Sequence, residues 1–87
     1  MEPETEPERR TVMAPDMQAR RDAFLLLTEE RPPADPKRWL VVWTDHTPTE
    51  TWTEWAQYDF GMDAEHARKQ IARRGIDAQI HDLDAQA

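Results

Sequence analysis

Trp39-Leu40-Val41-Val42-Trp43 is an uninterrupted apolar run with polar sequence on both sides. Its two Val and two Trp favour a pleated strand over a helix. Side chains of a strand alternate between faces. Trp39, Val41 and Trp43 therefore point one way, Leu40 and Val42 the other. Both faces are apolar, and a strand of that kind is central and covered on both sides. The rest of the chain has to supply two covers and two neighbouring strands.

Working outward, Asp45-His46-Thr47-Pro48-Thr49-Glu50 is rich in turn-favouring residues. It separates strand one, 38–44, from strand two, 51–60. In TWTEWAQYDF, Trp52, Ala56, Tyr58 and Phe60 form an apolar side interrupted by Glu54, while Trp55 is the one apolar residue of the other side. The spacing then predicts a helix over 64–74. Asp63 suits its N-cap, Glu65 its first turn, Arg73 and Arg74 its last turn, and Gly75 a left-handed residue just beyond. Its inner face is Ala64, Ala67 and Ile71, mostly small, so it can lie close to a sheet that carries bulky aromatics. Strand three is 76–82, with Ile76, Ala78 and Ile80 apolar and Asp77, Gln79 and His81 polar.

Upstream, a helix is expected over 15–30, starting at Pro15 or Asp16 and ended by Pro32-Pro33. Met17, Phe24 and Leu27 share one side at helical spacing, but Phe24-Leu25-Leu26-Leu27 makes a wider apolar arc than one stripe. Residues 31–37, RPPADPK, form a stiff Pro-rich linker. Residues 1–12, opening MEPETEPERR, read as a disordered acidic arm ahead of a single domain over 13–87.

The predicted fold is α+β, with element order α-β-β-α-β. A hairpin makes strands one and two antiparallel, and the second helix returns the chain so that strand three runs with strand two. Pairing strand three with strand one gives a three-stranded antiparallel sheet of order 2-1-3 and puts Trp39–Trp43 at its centre. The other pairing leaves that apolar run as an edge open to aggregation. The 64–74 helix should cover the face built from the apolar sides of strands two and three. Trp55 and one side of strand one form an apolar strip on the other face, to be covered by the first helix, a second subunit or a ligand. The layout, closing on Gly75-Ile76-Asp77-Ala78-Gln79-Ile80, is similar to half of a ferredoxin-type or cell-wall-binding repeat sandwich. That likeness covers the strands and the second helix and carries no diagnostic motif.

The chain has 87 residues, a formal net charge of −7 and no Cys. Roughly 70 ordered residues bury only a small core, with no disulfide or thiolate metal site to add to it. Glu2, Glu4, Glu6 and Glu8 place four of the 18 acidic residues in the arm. There is no basic footprint for a polyphosphate. No apolar run reaches the ~18 residues of a membrane span and no signal-peptide core follows Met1, which points to a cytoplasmic protein without a membrane partner.

Catalytic signatures are lacking. His46, His66 and His81 each have a carboxylate nearby in sequence, but none has a metal-ligand spacing such as two His four apart on a helix. The only glycines are Gly61 and Gly75, so there is no Gly-rich phosphate loop. No enzyme activity, metal or cofactor is expected. The expected function is a non-enzymatic protein-binding regulator or inhibitor. Its contact residues are Phe24, Leu25, Leu26 and Trp55, and a homodimer burying the same surplus apolar surface is expected too. The alternative is a nucleic-acid binder that stacks bases on sheet aromatics and uses Arg68, Lys69, Arg73 and Arg74 on the outside of the second helix.

Overall fold

The computed structural model describes residues 16–85; the acidic arm lies outside them, apart from which the predicted architecture holds. Helix α1 spans Met17–Thr28, β1 Trp39–His46, β2 Thr51–Tyr58, helix α2 Gly61–Ala72 and β3 Gln79–Asp82. The strands form an antiparallel sheet of order β2-β1-β3. β1 pairs along its whole length with β2, from Trp39↔Tyr58 to His46↔Thr51, and along its first half with β3, from Trp39↔Asp82 to Val42↔Gln79.

The alternation along β1 sends its side chains into two separate apolar layers. On one face Leu40 packs with Ala23 and Phe24 of α1 and with Leu83, and Val42, Leu27 and Trp55 close around them. On the other, Val41 packs with Ala64 and Ile71 of α2 and with Ala78, inside a ring of Trp39, Trp43, Tyr58, Ile76 and Ile80. Phe24, Leu40, Val41 and Leu83 are fully buried. Each such side chain contributes about 1.5–3 kcal/mol through removal from water. The strip made by Trp55 and the even side of β1 is thus covered within the chain by α1, so the sheet is sandwiched between two helices.

Local chemistry sets the helix ends. Asp16 caps α1 by accepting the Ala19 N–H at 3.1 Å, as the sequence allowed. α1 stops at Thr28, short of the Pro pair, because Glu29 turns left-handed (φ 60°). The buried Thr28 hydroxyl donates to the Phe24 carbonyl at 2.9 Å and accepts the Glu30 N–H at 3.1 Å, closing off helical carbonyls and amides in a different direction.

α2 departs further from expectation. It begins at Gly61, and Phe60 occupies the N-cap with no side-chain cap bond, so Asp63 sits in the first turn instead of capping. Tertiary contact bears on this start: a Cβ on Gly61 would stand 3.3 Å from the Trp39 indole, so glycine lets the helix begin this close to β1 without displacing that ring. β2 consequently ends at Tyr58, and Phe60 is outside it and 68 % exposed, not part of its apolar side. At the other end Gly75 takes the expected left-handed conformation (φ 81°). β3 is shorter than predicted, because Ile76 and Ala78 pack under α2 before the chain reaches the β1 ladder.

Ion pairs fasten the C-terminal turn. Arg20 of α1 holds Asp84 through two bonds of 2.6 and 2.9 Å and donates to the Pro36 carbonyl at 3.0 Å. Arg38 holds Asp82 through two bonds of 2.9 Å and lies 3.6 Å from Asp84. Each carboxylate has its pKa lowered chiefly by the arginine bonded to it.

Candidate functional site

The four residues expected to form one contact surface divide into two pairs. Consecutive helical residues are about 100° apart around the axis. With Ala23, Phe24, Leu27 and Thr28 turned to the sheet, Leu25 and Leu26 must turn away. Phe24 is 0 % exposed, whereas Leu25 is 50 % and Leu26 80 % exposed. Trp55 joins Phe24 inside, edge to face with ring centroids 4.7 Å apart and an interplanar angle of 82°. Such pairs add about 0.5–1.5 kcal/mol beyond area burial. Its indole N–H donates to Glu30 Oε1 at 3.1 Å, tying the end of α1 to β2. Phe24 and Trp55 are therefore core residues that support α1, and the surface part of the quartet is Leu25-Leu26. One turn before and after that pair stand Arg21, Asp22, Glu29 and Glu30. Arg21 is engaged with the Ala34 carbonyl at 2.7 Å and with Gln18 at 2.9 Å. Glu29 and Glu30 lie past the end of the helix and Glu30 is bonded to Trp55, so the charges near the leucines are of both signs.

The basic residues of α2 do not act as one patch either. Arg68 is bonded to Glu65, which raises the arginine's pKa and lowers the glutamate's. Arg74, just beyond the end of α2, reaches Asp45 of β1 on the same side of the sheet at 3.3 Å. Lys69 and Arg73 are exposed and make no ion pair among the described residues. The sheet's aromatics are under helices on both faces, apart from Trp52, which lies near the hairpin end with its N–H donated to Glu54 at 2.8 Å.

Sequence reasoning did not foresee an open groove of about 570 Å³ between α2 and the β1–β2 part of the sheet. Trp43, Tyr58, Ala67 and Ile71 give it apolar walls, and Asp63, His66 and Gln70 a polar side. The signal was present: positions 63, 66, 67 and 70 share one flank of α2, beside Tyr58 and Trp43 on the strand faces that turn toward that helix. The Trp43 indole N–H is buried without a hydrogen-bond acceptor. It contributes to lowering the pKa of Asp45, behind the larger effects of the His46 backbone N–H and Arg74.

The three histidines are dispersed: His46 at the hairpin, His66 on the groove, and His81 in β3 opposite Leu40, where partial burial lowers its pKa. No group of three or more His, Asp or Glu among the described residues is placed to hold a metal ion, and no described helix is long and apolar enough to cross a membrane. No family model matches the chain, and neither a curated protein nor a solved structure matches it significantly.

Proposed function

We propose that this is a non-enzymatic protein-binding domain, of the regulator or inhibitor kind, that holds its partner through the outer face of α1. The observation that carries the proposal is the exposure of Leu25 and Leu26 on a helix whose inner face is already filled by Ala23, Phe24 and Leu27. Neither leucine contributes to the buried core, and adjacent exposed apolar side chains with a polar rim are the composition of a contact surface. The nucleic-acid alternative has less support, since Arg68 and Arg74 are already paired with carboxylates and the central aromatics are covered.

The test is a pull-down at physiological salt with the native chain and with a Leu25→Glu/Leu26→Glu variant of equal melting temperature. The native chain should retain a protein that the variant loses. Equal recovery by both would remove α1 as the contact. Tight, salt-sensitive binding of oligonucleotides in a parallel titration would instead favour the nucleic-acid alternative.

A further inference from the structure

β2 is an edge strand of a kind that folded proteins ordinarily avoid. Its ladder with β1 is continuous over eight residues with no bulge, and among the described residues nothing pairs with its other side. Exposed edges are usually blunted by Pro, Lys, a bulge or shortness. TWTEWAQY has neither Pro nor Lys, whereas the opposite edge, β3, has only four residues. A row of unpaired N–H and C=O groups of this length is a template for another extended chain.

The groove adjoins this edge. It is walled by Trp43 of β1, Tyr58 of β2 and the flank of α2, and no β3 residue lines it. A chain laid along β2 directs every second side chain to the same face of the sheet as Trp52, Glu54, Ala56 and Tyr58. The charge on that side is negative. Glu54 is the one charged residue of β2, Asp63 stands on the groove, and among the described residues Glu54 makes no ion pair within 4.0 Å and no Lys or Arg lines the groove. A second copy of β2 brings no cation to Glu54, because the strand carries none.

We propose that the free edge of β2, with the groove beside it, takes an extended basic and apolar segment of another protein as a fourth strand. A Lys or Arg of that segment lies beside Glu54, and the residue four positions away on the same face, past Ala56, enters the groove over Tyr58. Main-chain bonds supply affinity, and Glu54 with the groove supplies selectivity. The leucines of α1 lie across the sheet from the groove and take no part.

The experiment is an amide NMR titration of the full chain with a capped peptide of alternating Thr and Val carrying one central Lys. A second peptide has Glu in place of that Lys. Shifts are expected in Thr51–Tyr58 and along Asp63–Gln70, with the Glu peptide about threefold weaker or more. Glu54→Lys should reverse that order, Glu54→Gln should level it, and Leu25→Glu/Leu26→Glu should leave it unchanged. The proposal is overturned by any of four results: no shifts at roughly millimolar peptide, equal binding of the two peptides, shifts confined to β3, or β2 edge amides already protected in the free protein. Protection that depends on concentration identifies a second copy as the occupant, and protection that does not identifies the chain itself.

Discussion

Val41 packs with Ala64, Ile71 and Ala78, and Leu40 with Ala23, Phe24 and Leu83, and both are fully buried. A charge at either position has no partner and no route to solvent. Val41→Asp or Leu40→Asp should leave the chain unfolded at neutral pH, seen as loss of the cooperative transition in circular dichroism. A folded Val41→Asp protein would contradict the placement of β1 at the centre. The neighbouring positions of α1 give a sharper contrast. Phe24→Ala should cost about 3–5 kcal/mol, because it empties a buried site and strips Trp55 of its ring partner. Leu25→Glu or Leu26→Glu should change stability by no more than about 0.5 kcal/mol. Denaturant titration of the three variants checks the order. Gly75→Ala should cost about 1–2 kcal/mol, since a Cβ is strained at φ 81° although the space around it is open.

Elements are tied together by charge as well as by apolar contact. Arg20 links α1 to the turn after β3 through Asp84, and Arg38 links the start of β1 to Asp82. Both aspartates have folded pKa values below the ordinary 3.8, so each favours the folded state while ionised. That stabilisation is fully present above the unfolded pKa and disappears as pH falls through the folded one. His81 has a folded pKa below 6.5 because burial disfavours its charged form. Its contribution is complete above about pH 6.5 and is lost as the pH falls below that, well before the aspartates protonate. The predicted profile of stability against pH falls in two stages on acidification. His81→Gln should flatten the upper stage and Asp84→Asn the lower one. A profile insensitive to both variants would show that neither site is held as described.

In the molecule as a whole, α1 closes over its own sheet, so the apolar strip needs no second subunit to cover it. Leu25 and Leu26, the pair proposed above for partner binding, also offer an apolar surface for self-association. A two-fold contact would bury both copies of the pair at once, and we propose a homodimer of that form. Light scattering at tens of micromolar should give a dimer mass for the native chain and a monomer mass for Leu25→Glu/Leu26→Glu. A monomer mass for the native chain would remove the homodimer and leave the face free for a different protein. The net charge of −7 opposes association of like copies, so the dimer should strengthen as salt is added.

Fold class, element order and strand order were legible in the chain itself, because they follow from local periods. The two-sided apolarity of Trp39–Trp43 required a central strand, the alternation in β2 and β3 assigned their faces, and Gly75 marked the left-handed turn beyond α2, although the helix itself stops at Ala72 and not at 74. Tertiary structure alone decided the boundaries and the surface. The start of α2 at Gly61 lies against the Trp39 ring, a constraint that comes from across the fold and leaves no mark within the helix's own sequence. Leu83 and Pro36 are fully buried, yet no periodicity marks them, since they lie in turns that the packing of other elements encloses. Likewise Phe24 to Leu27 is a single apolar run in sequence, and only the direction in which α1 lies on the sheet separates Phe24, held against Trp55, from Leu25 and Leu26, left in water. A local pattern fixes which way a residue points relative to its neighbours; what waits there is set by residues far away in the chain.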